Sequence, residues 1–375
     1  MKSLFLCSSW LLMMSSIAHA STWDKDINQF ATSLTLDHHS NIYNDTDKEV
    51  GSSVSQFAIV NNSVSLFEGY GIALPFSMHR FSYSKDSDLD NTSFEFKPSA
   101  QFFMSPSSTL KFRSEVSKNQ IFGGNIGAEF ADKLLSPLNN KRRFVGMSLD
   151  VGQAPANEFL TVHVNYSDSE LRNSQSSSRH STKQIGSQYG FRVSEDSYFQ
   201  LSGNYQWQQS NGRLTRLAEA GIGAITGLGG SNELNLIAGG YQRIENGQKG
   251  LFWTLSNSWT ASEQLSFKLK TSQRSTLNNS ASGASQLTTI YQLDSIFTFS
   301  DSHQLSLKLH HQKNNIKEIR DKALNKSIIA VWQWEVASGV VFRATASRAE
   351  NSRFNIQDSV NRTQQKLGIS VGYQW

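Results

Sequence analysis

Over most of this chain apolar side chains fall on every second residue, and that regularity limits the fold more than any other feature. "FLTVHVNY" carries Leu160, Val162, Val164 and Tyr166 on one face, and "YFQLSGNYQW" carries Phe199, Leu201, Tyr205 and Trp207. "QLSFKLK", "HQLSLKLH", "GLFWTLSNSW" and "IIAVWQWEV" repeat the pattern further along. A period of two lines one face of a β-strand, and the β-branched and aromatic content agrees. Helical spacing fits almost nowhere, so the class is all-β.

The connections between these strands alternate in length. Short ones are expected at "VNNS" near residue 61, then near 105, 153, 194, 228, 261, 300 and 337. Longer polar ones interleave at 38–50, 84–91, 119–142, 169–182, 209–215, 244–248, 275–286, 313–324 and 350–362. Eight turns and nine loops imply about eighteen strands, with sixteen as the alternative count, and both termini on the short-turn side. That parity belongs to a transmembrane antiparallel up-and-down β-barrel of the bacterial outer membrane, with short periplasmic turns and longer outside loops. A soluble sandwich of so many strands would split into domains with visible linkers, and no Pro-rich, Gly/Ser-rich or charged boundary interrupts the sequence. Aromatics also gather towards strand ends (Trp207, Trp259, Tyr291, Phe299, Trp332, Trp334, Tyr373, Trp375), as interfacial girdles do.

The amino terminus supports export. "MKSLFLCSSWLLMMSSIAHA" has a positive charge at Lys2, an apolar stretch from Leu4 to Met14 and a small-x-small site at Ala18-His19-Ala20, which reads as a cleaved signal peptide over residues 1–20. Its apolar run is shorter than the roughly 20 residues of a spanning helix. The remaining 21–375 form one barrel domain. Cys7, the only cysteine, leaves with the signal, which excludes disulfides, thiol nucleophiles and cysteine metal sites. The formal net charge of +4 falls to +3 without Lys2 and is spread evenly, so nucleic acid is not an expected partner.

In a barrel the polar half of each alternation faces the lumen. The residues expected there include Lys111, Arg113, His163, Asn165, Arg192, Asn204, Gln206, Lys268, Lys270, Lys308, His310 and Arg343, together with Asp150, Gln188, Gln200 and Gln333. Amides and hydroxyls dominate, with more cations than anions, which suits neutral or negative hydrophilic solutes. Eighteen strands are too many for side chains to fill the interior, so an aqueous passage is expected.

Enzymatic readings find little to hold. Adjacent histidines (His38-His39, His310-His311) point to opposite faces of a strand, and HExxH, GxSxG and cysteine clusters are missing from the sequence. Asp37, His38, His180 and Ser181 are the candidates for a rim site and read as solvated loop residues. No catalysis, no metal and no cofactor is expected. "GGNIG" at 123–127 is a flexible loop. "GAEFADKLLSPLNNKRR" places Phe130, Leu134 and Leu135 at helical spacing, either as a lumen constriction or as a cover over the mouth. "NNIKEIRDKALNK" places Ile316, Ile319 and Ala323 likewise and reads as a solvated helical turn.

Two stretches carry a resemblance. "SLTLDHHSNIYNDTDKE" (Asp37, Ser40, Asn41, Ile42, Tyr43) and the closing "FRATASRAENSRFNIQDSVNRTQQKLGISVGYQW" resemble the first and last strands of the β-barrel porin family encoded with exopolysaccharide and capsule biosynthesis genes. His38 and His39 between Asp37 and Ser40 depart from that family's spacing. The resemblance implies translocation of an exopolysaccharide or capsular polysaccharide, with the polymer and periplasmic export components as partners. General or small-solute diffusion and a structural or adhesive surface barrel are the alternatives. Ile369, Val371, Tyr373 and Trp375, alternating to the last residue, resemble the signal read by the barrel-assembly machinery; outer-membrane lipid and lipopolysaccharide are the expected surroundings.

Overall fold

The computed structural model describes residues 27–40, 51–85, 89–121, 138–152, 157–172, 177–210, 212–227, 231–277, 285–316, 321–354 and 359–374. The signal segment 1–20, the stretch Asn41–Tyr43, the loop core 122–137 with Phe130, Leu134 and Leu135, Ile319 and the terminal Trp375 lie outside them.

Among the described residues the wall has eighteen antiparallel strands. They are β1 (Ile27–His39), β2 (Ser52–Phe67), β3 (Tyr70–Ala73 and Phe76–Tyr83), β4 (Asn91–Phe96 and Ser99–Ser105), β5 (Ser108–Ile121) and β6 (Leu138–Val151). Then come β7 (Glu158–Arg172), β8 (Ser177–Ser194), β9 (Ser197–Ser210), β10 (Arg213–Thr226), β11 (Asn232–Arg243) and β12 (Lys249–Ser262). The last are β13 (Leu265–Leu277), β14 (Ser285–Ser300), β15 (His303–Ile316), β16 (Asp321–Ala337), β17 (Val340–Phe354) and β18 (Ser359–Gln374). Each strand pairs with the next, and β1 pairs with β18 from Ala31↔Gln374 to His39↔Lys366, so the sheet closes on itself. Closure leaves no free edge in lipid. β3 and β4 are each interrupted by a proline, Pro75 and Pro98. The register runs unchanged through both breaks, because Ala73↔Ser99 and Phe76↔Phe96 continue one ladder.

The outward rows are apolar and bare: Leu34 and Leu36 on β1, Val145 and Met147 on β6, Ile369, Val371 and Tyr373 on β18. Rings gather at two heights on this surface. At the short-turn end Phe67 stacks on Tyr70 at 4.6 Å, Trp259 on Phe267 at 5.5 Å and Trp334 on His303 at 5.5 Å. At the long-loop end Tyr205 meets Trp207 at 4.5 Å, and Tyr291 lies between Trp253 (6.3 Å) and His311 (5.9 Å). Phe199 and Trp207 mark the two levels on β9. Eight residues at about 3.3 Å each separate them by ~26 Å along the strand, or about 20 Å across the bilayer at a tilt near 40°.

Two expectations about connections are corrected. "VNNS" is not a turn: Val60–Ser63 run inside β2, and the chain reverses at Glu68-Gly69, where Gly69 adopts φ 83°. Polar Asn61 is tolerated mid-strand because the Ser63 hydroxyl donates to its side chain at 2.9 Å. "NNIKEIRDKALNK" is not helical either. Asn314–Ile316 continue β15, Lys322–Lys326 belong to β16, and the two meet at Ile316↔Asp321 and Asn314↔Ala323. Ile316 and Ala323 share the inner face and are fully buried. The loops read at 169–182, 209–215 and 350–362 shrink in the same way, because strands continue past the bilayer. β8 is 18 residues long, against the 9–11 that suffice to cross.

Candidate pore lining

The inner face is the row opposite the bare apolar one, and the register puts all twelve of the expected lumen residues on it. Many do not stand free. Lys111 Nζ lies 2.9 Å from the Asp150 carboxylate, which also accepts from the Thr161 hydroxyl at 2.8 Å. Arg192 donates to the carbonyls of Ser194 and Glu195, at 3.0 and 2.6 Å, and so braces the β8–β9 turn. Arg343 donates to Gln333 at 3.0 Å, and Lys308 lies 4.0 Å from Asp294. His310 and His311 point to opposite faces.

Amides on the inner wall bond to one another around the barrel. The Gln184 amide nitrogen is 3.2 Å from His163 Nε2 and donates to Asn204 at 2.8 Å; Asn204 donates to Glu219 at 2.8 Å. This chain crosses β7, β8, β9 and β10 in order. A second runs from Gln188 to Gln200, and Gln200 donates to Asn235 at 2.9 Å and to the Leu236 carbonyl at 3.2 Å. Gln206, from the expected set, accepts from Gln208 at 2.7 Å. Such ladders rest on close packing beneath them. Asn165 lies over Gly146, His163 over Gly186, Phe159 over Gly190, Gln200 over Gly223 and Tyr241 over Gly250, and each is the glycine's direct cross-strand partner. A Cβ at any of these glycines would overlap the side chain above it. The side chains therefore lie flat against the wall instead of projecting into the lumen. The seam is built the same way, with Asp37 over Gly368 and its carboxylate 2.7 Å from Lys366.

β13 to β17 carry no glycine within a described strand, and their inner polar side chains bond to near neighbours, Gln292 to Asp294 at 2.6 Å and Gln312 to Asn314 at 3.1 Å. On this arc Lys268 lies opposite Asp294 in the ladder, a carboxylate it shares with Lys308, and Lys270 lies opposite Gln292. The arc also supplies an element that the sequence reading missed. Pairing between β12 and β13 stops at Trp253↔Gln273, although β12 runs on to Lys249 and β13 to Leu277. Ser275 belongs by alternation to the outward row, yet Arg243, on the inner row of β11, donates to its hydroxyl at 3.1 and 3.0 Å and to the Thr276 carbonyl at 2.8 Å. Leu287 of β14, also on the outward row, packs on Leu217, Tyr241 and Phe252 of the inner wall. The upper ends of β13 and β14 thus bend inward past β11 and β12, burying Leu217 and Arg243 to 0 % exposure. Leu251, which would have faced Ser275 in an unbroken ladder, is left 71 % exposed. A signal was present: the outward row Thr271, Gln273, Ser275 turns polar where its neighbours keep Leu251 and Trp253. An outward row that loses its apolar residues is leaving the lipid.

The rim candidates do not assemble. Asp37 is spent on Lys366 and faces the opposite way from His38. His180 and Ser181 face opposite sides of β8, and His180 Nε2 meets only the Thr182 hydroxyl, at 3.3 Å. Among the described residues no group of three His, Cys, Asp or Glu side chains could hold a metal.

A closed eighteen-stranded wall with an apolar outer band between two rings of aromatics is an integral β-barrel of the bacterial outer membrane. No protein-family model and no curated protein sequence matches the chain. Solved structures are similar to it. The outer membrane protein OpdK from Pseudomonas aeruginosa superposes with TM-score 0.51 at 14% identity, over 93% of this chain and 99% of that one. The siderophore receptor PirA from Acinetobacter baumannii gives a TM-score of 0.49 at 8% identity, over 94% and 81%. Likeness at this level concerns the fold.

Proposed function

We propose that the chain is a passive channel carrying hydrophilic, hydroxyl-rich solutes across the outer membrane. The observation that carries this reading is the pair of amide ladders lying flat on the inner wall. Each amide there already has a partner, so a passing hydroxyl exchanges one hydrogen bond for another at a net cost or gain of only about 1 kcal/mol. Such a surface is wetted by sugars without trapping them. Glu219, at the end of the first ladder, is buried beneath it, and its second carboxylate oxygen has no hydrogen-bond partner among the described residues. Facing the ladders, Lys268 and Lys270 favour neutral or acidic solutes over cations.

The same chemistry serves a long polymer, and the resemblance at Asp37–Tyr43 and in the last hairpin favours export of an exopolysaccharide as the second reading, with the polymer and periplasmic export components as partners. Purified barrels in planar bilayers separate the two. A diffusion channel conducts small ions steadily and is indifferent to added acidic polysaccharide. An export channel is blocked by that polymer from one side. A folded barrel that conducts nothing overturns both.

A further inference from the structure

The outer wall over β5 to β10 has a groove that the transport reading leaves unused. It measures about 970 Å³ and is lined by the outward side chains Phe112, Val145, Met147, Val164, Ile185 and Leu214, with Tyr166 and Trp207 at its upper end. At about 30 Å³ for a group the size of a water molecule or methylene, it holds on the order of thirty methylenes. That is room for more than one acyl chain.

Cations stand above the groove on the same outward rows. Lys183 is flanked across the sheet by Tyr166 and Trp207, so its ammonium lies at the height of the upper aromatic ring. Arg143 sits between Val116 and Asp168. Lys118 and Lys141 oppose each other one level higher. Two carboxylates face this cluster, and both are accounted for. Asp168 takes a two-pronged hydrogen bond from Arg179, at 2.9 and 3.1 Å, and Glu170 lies opposite Lys141 and Arg179 in the ladder. Cations outnumber carboxylates on these rows, and Arg143 and Lys183 are among those without an ion-pair partner among the described residues. They are two strands apart and two residues out of step, about 12 Å at roughly 4.8 Å per strand and 3.3 Å per residue, a gap that two long basic side chains span together around one phosphate. At the height of the upper aromatic ring a lone cation costs the barrel little, and there it meets the anionic headgroups that the bilayer itself supplies.

We propose that this face is a specific site for a phosphate-bearing, multiply acylated lipid of the outer leaflet, its phosphate held between Arg143 and Lys183 and its chains laid in the groove below. The probe is hexa-acylated diphosphoryl lipid A added to the purified, folded barrel in detergent, with bound lipid counted by native mass spectrometry and folding checked by heat-modifiable gel mobility. One tightly retained lipid A per barrel is expected, weakened at least about tenfold in the double variant Arg143→Ala/Lys183→Ala and unchanged in Lys326→Ala, a cation on the outward row of β16 across the barrel. Phosphatidylglycerol, with one phosphate and two chains, should compete poorly. Equal retention by the double variant, or phosphatidylglycerol binding as tightly as lipid A, overturns the proposal. So does a barrel that binds no lipid A but self-associates through this face, with assembly lost in Met147→Lys.

Discussion

The arcs β6–β12 and β13–β17 are made of strands of the same kind, yet their inner faces work differently. On the first, glycines sit under the side chains of their cross-strand partners, and amides lie down and bond along the wall. On the second no described strand holds a glycine, cations outnumber carboxylates on the inner row, and the upper ends of two strands lean into the lumen against the first arc. The pore is thus a smooth neutral wall facing a rough cationic one. The difference shows that how closely an inner side chain can lie on the wall depends on the residue beneath it as well as on the side chain itself.

The contrast breaks most directly at Gly190. Gly190→Leu pushes Phe159 off the wall and should destabilise the barrel by about 2 kcal/mol or more, whereas Ser306→Leu on the inner row of β15 should stay within about 0.5 kcal/mol. Urea unfolding in lipid vesicles measures both, and equal costs would mean the glycines are incidental. Next comes the contact between the arcs. Arg243→Ala removes the bonds to Ser275 and Thr276 and should cost about 1–3 kcal/mol; it should also raise single-channel conductance, since the leaning strand ends lose their anchor. Unchanged conductance would show that the bend does not narrow the passage. Reversing charge on the rough wall with Lys268→Glu/Lys270→Glu should move the reversal potential in a salt gradient towards cation selectivity, while Gln184→Ala on the smooth wall should leave it in place.

The smallest effect concerns the turn above the smooth wall. Desolvation pushes the Glu245 carboxyl up, but hydrogen bonds from the Arg216 N–H and guanidinium outweigh it and hold the group below the usual carboxylate range. A depressed folded-state value stabilises above the unfolded value and is lost as pH falls through the folded one. Being largely exposed, the pair should be worth less than about 0.5 kcal/mol, so Glu245→Gln should flatten the acid limb of the unfolding curve only slightly.

The strands and their two faces were legible because period two survives wherever one face meets lipid. That is why Lys111, Asn204 or Arg343 could be assigned a side from the sequence. The pattern fades above the bilayer, where the outward face no longer meets lipid, and so the upper parts of β15 and β16, with Ile316 and Ala323 buried on the inner face, read as a helical turn. Asn61-Asn62 read as a turn because asparagine favours one, and only the pairing of β2 with β1 and β3 overrides it. The glycine-backed ladders could not be read at all. Gly190 and Phe159 are thirty-one positions apart in the chain, and nothing short of the register says that they meet.

The paired prolines remain. Pro75 and Pro98 occupy neighbouring strands at nearly the same height, and their carbonyls are used, accepting from Lys97 and Ser114 at 2.9 Å each. What is missing is donors: two rungs of the ladder, one towards β4 and one towards β5, have no N–H to fill them. Apart from the unpaired upper ends of β12 and β13, the rest of the described hoop resists circumferential tension with a fuller set of rungs. This patch is its expansion joint, where amide protons should exchange soonest and where the wall can widen by breaking fewest bonds.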